Sequence, residues 1–158
     1  MELLMFPNKA LRAQAIKAYM QEYGHERAIC FSCGNASKAL KDAGVDTLDI
    51  STNGDMQALR WFTIGEIKQR FPTYFDATSG HLPVDCMQMV ADIFKDYLHA
   101  LPKAIKVPTG SGETLVCLKM AFPDVDMTAV YNLDDATKYE KGAPLNGIVK
   151  ILADDIII

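Results

Sequence analysis

The stretch Val107-Pro108-Thr109-Gly110-Ser111-Gly112-Glu113-Thr114-Leu115 joins an apolar segment to a helical one through a turn of small residues. Glycine lets the backbone turn tightly and approach a ligand closely. A helix that begins near Gly112 offers unpaired N–H groups and the positive end of its dipole, and both favour an anion. The stretch therefore predicts a strand, a phosphate-binding turn and a helix, although the same residue types also make ordinary connections.

The spacing of this turn differs from two common phosphate loops. No Lys followed by Ser or Thr comes after Gly112, and the pattern is not G-x-G-x-x-G. A second turn of the same kind, Ser32-Cys33-Gly34-Asn35, follows a predicted strand at residues 27–31 and precedes a predicted helix that Gly44 closes. Residues 45–50 form the next predicted strand. Strands that alternate with helices through short connections predict an α/β protein with a parallel sheet.

Further elements are predicted from apolar periodicity. Pro7-Asn8 precedes a helix over residues 9–23, residues 75–81 are polar and predict a loop, and Pro83 opens an amphipathic helix. The apolar face of that last helix is predicted to contain Val84, Met87, Val90, Phe94 and Leu98. The remaining predictions are helices at 63–71 and 114–122 and strands at 104–107, 127–131, 148–152 and 156–158.

Composition limits the class of protein. The 158 residues, 49% of them hydrophobic and 23% charged, predict one α/β domain over residues 1–158 with a sizeable core. A net charge of −4 without a basic cluster argues against a nucleic-acid-binding surface. The longest apolar runs are shorter than the ~18 residues that cross a bilayer, and the start does not resemble a signal peptide. We therefore expect a cytoplasmic protein that binds small molecules and no membrane.

The cysteines allow an alternative function, that of a redox protein. Cys30 and Cys33 form a C-x-x-C pair between a predicted strand and a helix, where a thioredoxin-like redox site would place it. Cys86 and Cys117 are isolated and the three histidines are scattered, so no structural zinc or other metal site is expected. For Cys30, Cys86 and Cys117 the default expectation is burial in the core.

Lys9 lies at a predicted helix start, one strand upstream of the Ser32-Cys33-Gly34-Asn35 turn. The positive end of the helix dipole disfavours an ammonium group there, and a neutral amine is a nucleophile that forms an imine with an aldehyde. The turn itself offers hydroxyl, thiol, amide and backbone donors for a carboxylate or an aromatic hydroxyl. A lysine of this kind together with a phosphate cradle is the minimum equipment for pyridoxal phosphate chemistry.

These motifs resemble those of the fold-type II pyridoxal-phosphate-dependent enzymes, which include cysteine synthase, threonine synthase and the tryptophan synthase β chain. In that family a lysine near a helix start comes first, followed by a Ser-Ser/Thr-Gly-Asn turn and later by a Gly-Thr-Gly-Gly-Thr-like loop. Lys9, Ser32-Cys33-Gly34-Asn35-Ala36 and Gly110-Ser111-Gly112-Glu113-Thr114 occur in the same order here. The resemblance extends over nearly the whole chain and implies a shortened three-layer fold, with a parallel sheet flanked by helices.

The resemblance also implies a function. The cofactor would be pyridoxal 5′-phosphate, and the protein would be a lyase or transferase that acts at the β-carbon of a small amino acid of the serine, threonine or cysteine type. Lys9 would form the Schiff base, and Asn35 would hydrogen-bond the pyridine hydroxyl. Two further sets of residues would complete the implied site. The substrate carboxylate would be bound by Ser32, Cys33, Gly34 and Ala36, and the cofactor phosphate by Gly110, Ser111, Gly112, Glu113 and Thr114.

Two other functions stay open at this point. One is a binding or interaction module that keeps the sheet and has lost the chemistry, and the other is the C-x-x-C redox protein. His81 is interpreted as a loop hydrogen-bonding residue, and Ser37, Lys38 and Lys41 as solvated helix positions. Three terminal isoleucines would leave an exposed apolar edge on a monomer, which favours a homodimer.

Overall fold

The computed structural model describes residues 4–30, 35–49, 66, 69–109, 112–131 and 156–157. Helices and strands alternate along much of this part of the chain, as the sequence predicts. In chain order the elements are β1 (Leu4–Met5), α1 (Asn8–Glu22), β2 (Arg27–Cys30), α2 (Asn35–Asp42), β3 (Asp46–Asp49), β4 (Tyr74–Asp76), α3 (Val84–Leu98), β5 (Ala104–Thr109), α4 (Glu113–Ala121), β6 (Asp126–Tyr131) and β7 (Ile156–Ile157).

The chain divides into two compact units. We call Lys9–Met89 the lysine unit and Met1–Asn8 together with Val90–Ile158 the terminal unit. Each unit contains parallel strands and helices, which confirms the predicted α/β class. The expectation of one domain over residues 1–158 stays a prediction.

The sheet of the lysine unit has the strand order β3-β2-β4 and is parallel throughout. Arg27 lies opposite Asp46 on one side and Tyr74 on the other. Ala28, Ile29 and Cys30 are at most 1% exposed, so β2 is the buried centre of the described sheet. Short connections with a helix between parallel strands produce this arrangement, as in the β2-α2-β3 segment.

One predicted loop is wrong in part. The polar character of residues 75–81 indicated irregular structure, whereas Tyr74–Asp76 is a strand that pairs in register with β2. The backbone N–H of Ala77 extends this pairing by donating to the carbonyl oxygen of Ile29 over 2.8 Å. Pairing with a neighbouring strand therefore determines the conformation of this segment, which has no strand pattern of its own.

Glycine ends helices α1 and α2 in the predicted way. Gly24 has a φ of 75° and Gly44 a φ of 87°, in the left-handed region that side chains disfavour. After α1 the N–H of His25 donates to the carbonyl oxygen of Met20 over 2.8 Å, the bond that defines a Schellman ending. These endings turn the chain directly from each helix into the following strand.

The terminal unit contains a parallel pair, β5 with β6, and an antiparallel pair, β1 with β7. Its largest fully buried side chains are Phe6, Phe94, Leu118, Ile157, Val90 and Val107. In the β1-β7 pair, Leu4 lies opposite Ile157 and Met5 lies opposite Ile156. The terminal isoleucine segment therefore pairs with the start of the same chain, and the homodimer stays a prediction.

The strand that leads into the opening turn is longer than predicted. β5 continues through Pro108 and Thr109, which lie opposite Val130 and Tyr131 of β6. The hydroxyl of Thr109 donates to the carbonyl oxygen of Val107 over 3.0 Å. The small-residue turn thus begins after Thr109.

Helix α3 starts after Pro83 as predicted, but part of its buried face differs from the prediction. Val90 and Phe94 are at most 1% exposed, whereas Val84 is 76% exposed. Cys86 and Ala91 belong to the buried face instead. Residues 148–152 and most of 63–71 lie outside the described residues. Within the described residues no helix combines the length and the apolar character that a membrane span needs.

We expect the substitution Phe94→Ala to destabilise the protein strongly. Phe94 is completely buried, and its ring meets that of Phe6 edge-on with centroids 4.7 Å apart. Removing a buried phenylalanine ring costs about 3–5 kcal/mol. Urea unfolding at neutral pH measures this cost. Val84→Ala on the same helix is the control and should change the free energy of unfolding little, so equal losses in the two variants would contradict the packing.

Candidate functional site

Helix α1 runs in the opposite direction to β4 in the lysine unit. The rings of Tyr19 and Phe75 have centroids 5.4 Å apart, while the Nη2 atom of Arg12 donates to the carbonyl oxygen of Ala77 over 2.7 Å. Because the earlier helix residue contacts the later strand position, the first turns of α1 lie at the carboxyl end of β4. Open α/β sheets bind their ligands at this end of parallel strands.

Arg12 is a buried cation, with 4% of its surface exposed. The Ala77 carbonyl that accepts its hydrogen bond also lies 3.9 Å from the thiol sulfur of Cys30, the last residue of β2. Removing one partner of a buried charged group typically leaves a large uncompensated penalty. The guanidinium therefore fixes the start of α1 against the ends of two neighbouring strands.

Lys9 is the second residue of α1 and lies three positions before Arg12. Residues three apart share one helix face, so Lys9 belongs to the face that meets the carboxyl end of the sheet. Its side chain is half-buried, and the preceding Asn8 is buried. A lysine in this position suits a nucleophilic amine better than an exposed helix-start lysine would.

The start of α2 lies on the same strand end, because α2 begins at Asn35 shortly after β2. Ala36 is buried, whereas Ser32, Cys33 and Gly34 lie outside the described residues. Ser37 was expected to be solvated, and this is wrong: it is 1% exposed, and its hydroxyl is the only buried side-chain group without a hydrogen-bond partner among the described residues. An unsatisfied buried hydroxyl is costly, so Ser37 adds a polar group that the sequence interpretation missed.

Lys38 and Lys41 are exposed on α2, as expected. Ser37 lies on the buried face of α2, because it is three residues before the fully buried Leu40. That spacing is the sequence signal that could have identified it.

Asp76 and His81 form a carboxylate–imidazole pair at the end of β4. The Oδ2 atom of Asp76 lies 2.9 Å from Nδ1 of His81, and its Oδ1 atom accepts the backbone N–H of Thr78 over 3.0 Å. The side chain of Asp76 is 9% exposed and that of His81 is 28% exposed. A carboxylate that accepts from Nδ1–H leaves the lone pair of a neutral imidazole on Nε2. The expected loop-bonding role of His81 is confirmed by this contact with Asp76.

A tyrosine pair attaches the second half of α1 to the start of α3. The carboxylate of Asp85 accepts hydrogen bonds from Tyr19 over 3.1 Å and from Tyr23 over 3.3 Å. Burial raises the pKa of Tyr19 to about 12, and the hydrogen bond and negative charge of Asp85 add to this rise. The charge of Asp85 is the main cause that raises the pKa of Tyr23. The contact holds α1, and with it Lys9, within the lysine unit.

The small-residue turn belongs to the terminal unit. Gly110 and Ser111 lie outside the described residues, and Gly112 has a φ of 92° immediately before α4. Gly112 is the N-cap residue of the helix and has no side chain with which to cap it. Glu113 is its first residue and is only 5% exposed, while Thr114 is half-buried. Gly112 and the start of α4 therefore combine a left-handed backbone residue, a helix N-terminus and a buried acid.

The structure separates the predicted site residues into two groups. Lys9, Asn35 and Ala36 belong to the lysine unit, and Gly112, Glu113 and Thr114 belong to the terminal unit. The role assigned to each of these residues stays a prediction. Within the lysine unit the structure adds residues that carry no recognisable sequence motif, namely Arg12, Ser37, Asp76 and His81.

The cysteines behave as core residues where they are described. Cys30, Cys86 and Cys117 are fully buried, as expected, and form no disulfide with one another, whereas Cys33 lies outside the described residues. In the part of the chain that the structure describes, no three His, Cys, Asp or Glu side chains are gathered as a metal ion would require.

We expect Tyr19→Phe to reduce the loss of stability at alkaline pH. The pKa of Tyr19 rises from 10.0 to about 12 on folding. The contribution of its hydroxyl to the free energy of unfolding is therefore complete below pH 10 and disappears as the pH rises through about 12. Urea unfolding at pH 8 and pH 11 measures how much stability each protein loses between these pH values. The more exposed Tyr23→Phe is the comparison variant, and an unchanged pH dependence in Tyr19→Phe would contradict the role of its hydroxyl.

We expect Asp76→Ala to change the tautomer of His81. In neutral His81 the carboxylate of Asp76 favours a proton on Nδ1, and without this acceptor that preference is lost. Long-range 1H–15N correlation spectra at neutral pH distinguish the two ring nitrogens. Asp96→Ala, at an exposed position of α3, should leave the His81 signals unchanged. Identical His81 spectra in wild type and Asp76→Ala would show that the pair does not set the tautomer.

Comparison with known proteins shows similarity in fold. The sequence matches no protein-family model and no curated protein. The structure is similar to that of serine racemase from Dictyostelium discoideum, with a TM-score of 0.51 and 13% sequence identity. This alignment covers 95% of the present chain and 64% of the racemase.

Two further solved structures match more weakly. A pyridoxal 5′-phosphate-dependent aspartate racemase aligns with a TM-score of 0.49 at 16% identity, over 85% of this chain and 51% of that one. A T.th. threonine deaminase aligns with a TM-score of 0.47 at 12% identity, over 95% of this chain and 66% of the deaminase. The chain thus spans between about half and two thirds of the proteins that it resembles. It is an α/β protein whose fold is similar to that of serine racemase.

Proposed function

We propose that this chain is a pyridoxal-phosphate-dependent protein of fold type II that acts at the β-carbon of a small amino acid. The observation that supports this most is the position of Lys9, one helical turn before the buried Arg12 that contacts the carboxyl end of β4. The similarity to serine racemase supports the fold on which the proposal depends.

The proposed roles follow the chemistry of each group. Lys9 Nζ would form an imine with the aldehyde carbon of the cofactor, with loss of water, and the amide of Asn35 would hydrogen-bond the hydroxyl of the pyridine ring. The backbone N–H groups at the start of α2 would receive the substrate carboxylate. They are helped there by Ser32, Cys33, Gly34 and Ala36. The residues proposed to bind the cofactor phosphate belong to the terminal unit and are Gly110, Ser111, Gly112, Glu113 and Thr114.

When bound, pyridoxal phosphate supplies an electron sink for the electron pair left at the α-carbon of the amino acid. Lys9 Nζ is the group that we expect to take and hold the α-proton, because it is a basic amine at the ligand-binding end of the sheet. Loss or replacement of the β-substituent makes the protein a lyase or a transferase.

One observation favours a second candidate function, a binding or interaction protein that keeps the sheet and has lost the chemistry. Glu113 is 5% exposed on the proposed phosphate side, and a buried carboxylate repels a phosphate in a medium of low dielectric constant. Lys9 is a group that the cofactor aldehyde needs, whereas the carboxylate of Glu113 does not suit the cofactor phosphate. The redox alternative has less support, because Cys30 is completely buried and a reactive thiol needs partial exposure.

We expect purified protein to develop a visible absorption band when it is titrated with pyridoxal phosphate. Reduction with sodium borohydride makes a lysine–pyridoxyl linkage permanent, and peptide mass spectrometry should locate it on Lys9. The band and the labelled peptide should both disappear in Lys9→Ala, because no other residue is proposed to supply the amine.

Lys17→Ala is the matched control, since Lys17 is a half-buried lysine on the same helix. It should keep the band and the label on Lys9. Absence of any band in the wild-type protein, or a band that persists in Lys9→Ala, would contradict the proposed enzymatic function.

A further inference from the structure

The turn that follows β4 places a histidine ring at the carboxyl end of the lysine-unit sheet. Asp76 is the last residue of β4, and Gly80, with a φ of 87°, turns the chain back. The N–H of His81 donates to the carbonyl oxygen of Thr78 over 2.9 Å, and its Nδ1 atom lies 2.9 Å from Oδ2 of Asp76. Because β4 pairs in parallel with β2, this ring lies at the end where open α/β sheets bind their ligands.

The contact with Asp76 determines which ring nitrogen of His81 is left for a ligand. An ionised carboxylate can only accept, so it bonds to a proton on Nδ1. Nε2 then carries a lone pair in the neutral ring and an N–H in the protonated ring. Among the described residues Nδ1 is the one ring nitrogen of His81 with a hydrogen-bond partner, and 28% of the side chain is exposed. His81 can therefore give or take a proton through Nε2 while Asp76 orients the ring.

A second group that can move a proton lies at the same end of the same unit. The Nη2 atom of Arg12 donates to the carbonyl oxygen of Ala77, the residue after Asp76. Lys9 is one helical turn before Arg12. Lys9 and the Asp76–His81 pair thus both lie near the carboxyl end of β4, and all of these residues belong to the lysine unit.

Elimination of a β-hydroxyl group from an amino acid needs two proton transfers. The electron pair of the α-carbon–hydrogen bond forms a double bond to the β-carbon, while the electron pair of the bond from the β-carbon to oxygen goes to the oxygen. A base receives the α-proton, and an acid protonates the oxygen so that it leaves as water. Hydroxide is a strongly basic leaving group and needs this acid, whereas chloride is a weak base and leaves without a proton.

We propose that His81, oriented by Asp76, is the proton donor to the departing β-hydroxyl group. The substrate class is then a small β-hydroxy-α-amino acid such as serine, with its hydroxyl oxygen against Nε2. The inference rests on the proposed function, in which Lys9 receives the α-proton. Nε2 gives one proton and Lys9 takes one, so the products are water and a dehydro amino acid, and proton exchange with solvent restores both residues.

Two substrates that differ only in the leaving group test this role in protein loaded with pyridoxal phosphate. L-serine loses its hydroxyl and β-chloro-L-alanine loses chloride, and release of the keto acid measures both reactions. In His81→Asn the amide N–H can replace Nδ1 in the bond to Asp76, but no group remains at the position of Nε2. We expect kcat/KM for L-serine to fall by about a hundredfold to ten-thousandfold, and that for β-chloro-L-alanine to change by less than about threefold.

His99→Asn is the matched control, because His99 is an exposed histidine outside the lysine unit. It should leave both rates unchanged. Equal losses for the two substrates in His81→Asn, or an unchanged rate with L-serine, overturn the inference. His81→Gln, which also lacks an imidazole, supplies the same comparison if His81→Asn does not fold, as judged by circular dichroism.

Binding without turnover gives a second measurement. α-Methyl-L-serine has the hydroxyl group but no α-proton, and α-aminoisobutyric acid differs from it only in lacking the hydroxyl. At saturation the first should shift the Nε2 signal of His81 in 1H–15N correlation spectra, whereas the second should not. The signals of His25 and His99 are internal references. Equal shifts with the two amino acids, or no shift with either, contradict a contact between Nε2 and the hydroxyl.

The wild-type protein separates this inference from the proposed function. If it develops no visible band with pyridoxal phosphate and turns over neither substrate, the proposed function fails and the role of His81 fails with it. If it turns over β-chloro-L-alanine but not L-serine, the proposed function stands and the role of His81 is overturned.

Discussion

The hydrogen bond from the buried guanidinium of Arg12 to the carbonyl oxygen of Ala77 determines where helix α1 meets the sheet. Arg12 is 4% exposed, and a charge at such a depth tolerates few alternative positions. The same carbonyl approaches the thiol of Cys30, so the contact connects α1 with the ends of β2 and β4. Lys9 lies near the carboxyl end of the sheet because it is one helical turn before Arg12.

The polar groups at this end depend on β4. Asp76 completes the strand, and its two carboxylate oxygens then bind the backbone N–H of Thr78 and the ring of His81. A strand of three residues has little stability alone, so these groups are positioned only because β4 pairs with β2. The pairing therefore places Asp76 and its partner His81 at the strand end that α1 approaches.

The starts of helices α2 and α4 differ in the polar side chains that they bury. At α2 a buried hydroxyl, that of Ser37, has no partner among the described residues, whereas α4 begins with the buried acid Glu113. A helix N-terminus attracts anions, so a site that already contains a carboxylate has less to gain from a second one. The carboxylate of Glu113 therefore argues against a phosphate at the start of α4.

The amino-acid sequence by itself determined the α/β class, most helices and strands, and the glycine endings of α1 and α2, because these depend on local periodicity and on the backbone freedom of Gly24 and Gly44. It also indicated Lys9 and Glu113, although not their environments. Only the tertiary structure decided that Tyr74–Asp76 is a strand, that Ser37 is buried and that Arg12 contacts Ala77. These features arise from contacts between residues far apart in the chain, which local pattern does not encode.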